Sequence, residues 1–201
     1  AGRLHAQERP GVRAGHLPAV GVRVLAHHQV ELAQPEVGKR SDQVGGAGAI
    51  ADALNPLPLV ALHPNDHVLW RAGGGGAFFG FDIDPGPEPT IDFYQGQILR
   101  LGSVQFEVRF TPGHTPGHCI FYVASPDPRA ERSRSVCFCG DLIFAGAVGR
   151  TDLPGGNWEQ LVESIRMQVF TLPDETRLLA GHGPETTVGV EKMDNPFVDE
   201  M

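Results

Sequence analysis

Residues 1–49 hold no phenylalanine, tryptophan, tyrosine or isoleucine, and the first aromatic residue of the chain is Trp70. A half-buried sheet is normally built from β-branched and aromatic side chains, so this stretch lacks the material for one, and only Val20 to Leu25 reads as a strand in it. Cysteine is scarce too. Cys119, Cys137 and Cys139 are the only three, too few for a disulfide framework. Cys137 and Cys139 stand two apart on one face of a strand, a poor geometry for bonding each other. Three reduced, buried thiols in a cytoplasmic protein are the expectation. No apolar run approaches the roughly 18 residues of a spanning helix, and no basic start followed by an apolar block reads as a secretory signal. An excess of positive charge is also missing. A net charge of −8 argues against a nucleic-acid surface. The expected partner is a small molecule, with neither membrane nor nucleic acid; the sequence leaves the oligomeric state open.

What is present begins near Gly45. The 201 residues, 41% of them hydrophobic and 20% charged, suit one domain with a real core. Ala47 to Leu54 reads as a short helix stopped by Asn55-Pro56, and Leu59 to Leu62 as a buried strand. Gly73 to Gly76 and Asp84-Pro85-Gly86-Pro87 mark a mobile loop. Val104, Phe106, Val108 and Phe110 alternate with polar residues, the period of a half-buried strand. Ile120 to Val123 and Val136 to Cys139 follow as strands, joined by an exposed connection from Ser125 to Ser135. Asn157, with Gln160 three residues on, predicts a capping box. The helix it opens runs to about Phe170, with Trp158, Leu161, Val162, Ile165 and Val169 as its apolar stripe. Pro173 lies past its end, and Arg177 to Ala180 reads as a last strand. Strands, helix and strand in this order predict sheets covered by helices.

Three polar side chains stand just past strand-like runs. His114 lies in Thr111-Pro112-Gly113-His114-Thr115-Pro116-Gly117-His118, Asp141 follows Gly140, and His182 sits between Gly181 and Gly183. A lone histidine is more often a hydrogen-bonded core or surface residue than a ligand. Two imidazoles with a carboxylate between them, each beside glycine, point instead to a metal site. One carboxylate can bridge two divalent cations about 3.5–4 Å apart. His118 reads as a residue that orients or supports its neighbour rather than a ligand.

These segments, together with Gly140-Asp141-Leu142-Ile143-Phe144, Gly149-Arg150-Thr151-Asp152-Leu153-Pro154-Gly155-Gly156, Gly181-His182-Gly183-Pro184-Glu185-Thr186-Thr187 and Glu191-Lys192…Asn195-Pro196-Phe197, resemble the metallo-β-lactamase superfamily. Within it the chain is most similar to the hydroxyacylglutathione hydrolase (glyoxalase II) branch. The resemblance covers roughly residues 42–198. It implies an α/β fold, the αββα four-layer sandwich, as a single domain over 1–201 with 1–41 atypical. It also implies two Zn2+ ions and hydrolysis of a thioester such as an acylglutathione by a metal-bound hydroxide. By the same resemblance His114 serves the first metal, His182 the second, and Asp141 bridges them. Arg150 and Thr151 are guessed to face the substrate.

One part of the pattern departs. The family carries H-x-H-x-D-H after an early strand; here Gly38-Lys39-Arg40-Ser41-Asp42-Gln43 stands in its place. Asp42 matches and is the further candidate ligand, with a place in the chemistry. Gly38, Arg40 and Gln43 replace the histidines, and Arg40 sets a fixed cation where a dication belongs. His27 and His28 cannot both substitute, because adjacent strand residues face opposite ways. The expectation is one metal at most, or none, and weak hydrolysis or none. Two accounts stand side by side: a diverged, degraded segment, or one translated out of frame. Two other functions stand beside the hydrolase. One is an Fe2+-dependent persulfide dioxygenase of the same superfamily; the other is an inactive fold relic or binding module.

Overall fold

The structure, a computed structural model, describes residues 59–80, 82–126 and 134–197. The strand expected at Val20 to Leu25, the helix expected at Ala47 to Leu54, and Gly38, Arg40, Asp42 and Gln43 lie outside the described residues.

The 104–110 alternation does build a strand, and it sits in a six-stranded sheet. In chain order the elements are β1 (Ala61–Leu62), α1 (His67–Arg71), β2 (Ile91–Asp92), β3 (Ile98–Leu101) and β4 (Val104–Phe110). They continue with β5 (Cys119–Val123), β6 (Val136–Gly140), β7 (Ile143–Phe144), β8 (Ala147–Val148), α2 (Trp158–Ser164), β9 (Arg177–Ala180), β10 (Thr186–Thr187) and α3 (Val188–Asp194). The large sheet has the order β10-β9-β6-β5-β4-β3. All its pairs are antiparallel except β6 with β9, which is parallel. A parallel pair needs a long crossover, and the stretch carrying α2 supplies it. β1 and β2 pair in parallel as a separate two-stranded sheet, and β7 with β8 forms a hairpin.

This register decides where the candidate donors go. β4 and β6 both run antiparallel to β5, and β9 runs parallel to β6. β4, β6 and β9 therefore point the same way, and the loops after them leave one edge of the sheet. Those loops carry His114, Asp141 and His182.

Both faces of the sheet are covered, as strand alternation requires. Ile120 packs with Cys137, Cys139 and Leu178 against Leu161, Ile165 and Val169 of the α2 region. Their neighbours Cys119 and Phe121 point the other way, to Val108, Ala61 and Phe93. All three cysteines are buried and unpaired, in line with the sequence. Burial, with some help from Asp66, pushes the Cys119 thiol up to about 12.

Some local expectations change. Gly73–Phe79 forms 3-10 turns, with left-handed backbone at Gly74 and Gly75. In the segment Asp84 to Gly86 the Gly86 N–H donates to Asp84 Oδ1 at 2.8 Å. The end of the 125–135 connection is not exposed: Ser135 is buried, and its Oγ accepts from the Tyr122 hydroxyl and the Ser125 N–H. The α2 stripe is buried as read at Leu161, Ile165 and Val169, but the helix widens into a π turn over Ile165–Val169. Among the described residues no helix is long and apolar enough to cross a membrane.

Candidate metal centre

The loop after β4 is gripped before it presents anything. Its ends are tied by the Thr111 N–H to the His118 carbonyl at 2.8 Å, and by Thr111 Oγ1 to His118 Nδ1 at 2.7 Å. His118 is fully buried. It is a strut of the loop, as the sequence suggested.

Gly113 has φ 140° and lies against α2, where a Cβ would stand 2.4 Å from the Leu161 backbone. Only glycine passes there. The Asn157 side chain caps α2 by accepting from the Gln160 N–H at 2.9 Å. Its own N–H, however, donates to the Gly113 carbonyl at 2.8 Å. The expected capping box is thus only half made, because the loop takes the N–H that Gln160 would have used.

His114, at the tip of this turn, places Nε2 3.6 Å from Asp141 Oδ2. His182, from the loop after β9, places Nε2 3.6 Å from the same oxygen. The Gly181 N–H donates to the Gly140 carbonyl at 2.8 Å and draws the two strand ends together. The three donors named from sequence therefore converge.

Hydrogen bonding adds a constraint. His114 Nδ1 lies 2.9 Å from the Arg150 carbonyl oxygen. A carbonyl only accepts, so Nδ1 carries the proton and Nε2 has a lone pair when the ring is neutral. That lone pair then faces a carboxylate oxygen. Two acceptors face each other comfortably only with a proton or a cation between them. Asp141 is 7% exposed, and its buried Oδ1 has no hydrogen-bond partner among the described residues. Leaving such an oxygen bare costs roughly 1–3 kcal/mol.

A divalent cation fits these observations. Two donors bonded to one ion at about 2.1 Å and tetrahedral angles lie roughly 3.4 Å apart, close to the 3.6 Å seen in each histidine–aspartate pair. Each pair is only half a coordination shell. Among the described residues no group of three or more His, Cys, Asp or Glu side chains can hold an ion by itself.

The guessed substrate residues are placed differently from one another. The Arg150 backbone carbonyl orients His114, while its exposed guanidinium is held by Asp152 through two 2.8 Å bonds. That pair draws the Asp152 carboxyl down to about 2. Thr151 is half-buried. One residue that sequence reading missed lies beneath the site. Asp66 is 1% exposed and accepts from Thr115 Oγ1 and from the Gly117 N–H, both at 2.6 Å. Nothing in the local sequence links it to a loop 49 positions away.

A family model described as the metallo-beta-lactamase superfamily matches residues 41–182. The chain belongs to that superfamily. An uncharacterised protein of Aquifex aeolicus is 39% identical over 166 residues, covering 80% of this chain and 72% of the relative. The hydroxyacylglutathione hydrolase GloC of Haemophilus influenzae is 44% identical over 119 residues; the match covers 55% of this chain and only about half, 52%, of that enzyme. The crystal structure of TTHA1623 in a di-iron-bound form superposes with a TM-score of 0.63 at 39% identity, covering 78% of this chain and 72% of that one. Superfamily members are usually metal-dependent hydrolases, and the α/β sandwich expected from sequence is the fold found.

Proposed function

We propose that this chain is a metal-dependent hydrolase of the glyoxalase II-like branch, acting on a thioester of the acylglutathione type. The observation that carries the reading is the shared carboxylate: both imidazoles stand 3.6 Å from one oxygen of Asp141, whose other oxygen is buried without a donor. The similarity to GloC supports the branch. In this reading His114, Asp141 and His182, with Asp42 as a further ligand, are the side chains that would hold a divalent cation. When bound, such a cation polarises a carbonyl and makes water a better nucleophile at neutral pH.

The chain's own residues define the rest. The Arg150 carbonyl keeps the proton of His114 on Nδ1 and so aims its Nε2 lone pair at the site. Arg150 and Thr151 are assigned to the substrate in this reading, with the exposed Arg150 guanidinium, now paired with Asp152, offering a charge to an anionic group. Three buried thiols suit a reducing compartment such as the cytoplasm. Because Gly38, Arg40 and Gln43 offer no imidazole, occupancy of one metal or fewer per chain and weak turnover are expected.

Zinc is the first candidate. Iron is the second, since one similar structure is di-iron-bound. The test is metal content per purified chain, followed by turnover of an acylglutathione. Zinc with thioester cleavage supports the proposal. Iron with oxygen uptake on a glutathione persulfide replaces it with a dioxygenase. Neither tight metal nor turnover, with zinc supplied, leaves a binding module or relic.

A further inference from the structure

Asp66 ends the 3-10 turn Pro64–Asp66 and stands at the N-cap of α1. An aspartate there ordinarily accepts from the first N–H groups of its helix. Asp66 makes no such bond. Its carboxylate turns into the protein instead, and each oxygen takes one donor from the loop after β4. Thr115 Oγ1 donates to Oδ2 and the Gly117 N–H to Oδ1, both at 2.6 Å. Asn65 adds a third tie from the same turn, its Nδ2 donating to the Pro116 carbonyl at 3.3 Å. The approach is so close that a Cβ on Gly117 would lie 2.6 Å from Asp66 Cγ.

Keeping a carboxylate here has a cost. Burial raises the Asp66 carboxyl above its ordinary range, and the bonds from Thr115 and Gly117 oppose that rise only in part. The bonds obtained in return are short and charge-assisted, about twice as strong as neutral ones. They meet the loop on the far side of His114 from the α2 contacts. Gly113 is fixed by Asn157 and by its packing on Leu161, and Thr115 to Gly117 by Asp66. His114 is the one residue between the two anchors.

The geometry points to Asp66 as a positioning residue for His114: by clamping Thr115 and Gly117 it fixes the backbone from which the imidazole meets both the Arg150 carbonyl and Asp141. This inference rests on reading His114 as a metal donor, but it can be tested without metal. A residue that supports a ligand's orientation typically changes metal affinity about 10–100-fold when lost.

Two variants and two readouts separate positioning from bulk stability. Nitrogen-15 NMR of the imidazoles at about pH 8, above the ordinary histidine range, reports which ring nitrogen of His114 carries the proton. Co2+ titration reports affinity. In the unaltered protein His114 is expected as a single Nδ1–H tautomer. Asp66→Ala is expected to give a tautomer mixture and to weaken Co2+ binding about 10–100-fold. Asp66→Asn keeps an acceptor for the Gly117 N–H; it is expected to restore the single tautomer and bring affinity back to within about threefold of the parent.

A folded Asp66→Ala protein that loses thermal stability, yet keeps the tautomer and the Co2+ affinity of the parent, overturns the proposal. Should that variant not fold, Thr115→Val, which deletes one of the two donors, is read in the same way. If the unaltered protein takes up no Co2+ at all, the metal reading falls, and the tautomer measurement alone still decides the role of Asp66.

Discussion

His114 and His118 stand four residues apart in one motif, yet their surroundings give them opposite tasks. His118 is fully buried and bonded to Thr111 Oγ1 at 2.7 Å. Truncating it opens a cavity and strands a buried hydroxyl, so His118→Ala is expected to lower stability by about 2–4 kcal/mol in urea unfolding. His114 keeps 16% of its side chain exposed and shares its oxygen partner with His182. His114→Ala is expected to cost less stability than His118→Ala, because only His118 is fully buried, and to abolish Co2+ uptake. Equal losses of stability in the two variants would contradict this division. The thiols allow a second test at this scale. The thiolate is the reactive form of cysteine, and burial pushes the Cys119 thiol up to about 12. Cys139 is held well above its ordinary range by its bond with Cys137 and by burial. A thiol whose folded pKa is raised stays protonated through pH 8. Ellman's reagent is therefore expected to find almost no fast-reacting thiol in the folded protein and three after denaturation; a full, rapid equivalent from folded protein would refute it.

The elements with a strong period were legible before any coordinates. β4 showed its two-residue alternation, and the α2 stripe of Leu161, Ile165 and Val169 is the one found buried. Their ties to the site were not legible, because hydrogen bonds between distant segments leave no local pattern. The half-made capping box is one case: the sequence promised Gln160 as partner of the Asn157 N–H, and the Gly113 carbonyl takes that place. Asp66 is another, reading locally as an ordinary turn aspartate after Pro64. The junction of α2 with the loop can be probed directly. A methyl group at position 113 would sit 2.4 Å from the Leu161 backbone on a residue with φ 140°, so neither local strain nor the helix can yield cheaply. Gly113→Ala is expected to destabilise by at least about 2 kcal/mol and to loosen metal together with stability. Asn157→Ala, which removes only the cap acceptor, should cost about 1 kcal/mol. A Gly113→Ala protein as stable as its parent would mean that α2 does not press on this turn.

Over the whole chain, the family match starts at Ser41, beside the point where aromatic-poor sequence gives way to an ordinary globular texture. The convergence at the sheet edge is a property of topology: three strands point one way, and their loops deliver two imidazoles and a carboxylate wherever the chain began. What the described residues supply is two half-shells sharing Asp141. Under the proposed function, completing them falls to Gly38, Arg40 and Gln43, the positions where the resembled family pattern has histidines around Asp42. Arg40 matters most, since replacing a fixed cation by a neutral imidazole removes a repulsion and adds a donor at once. The combined variant Gly38→His, Arg40→His, Gln43→His is expected to raise metal content from one or fewer towards two per chain, and to raise acylglutathione turnover at least about tenfold. Arg40→His alone should give the largest single share of the gain in Co2+ affinity. A rise in metal without turnover would separate the site from the proposed thioester chemistry. No rise in either would mean that residues 38–43 do not bring their side chains to the Asp141 edge, as expected if the coding frame upstream of Ser41 is not the one that yields the family motif.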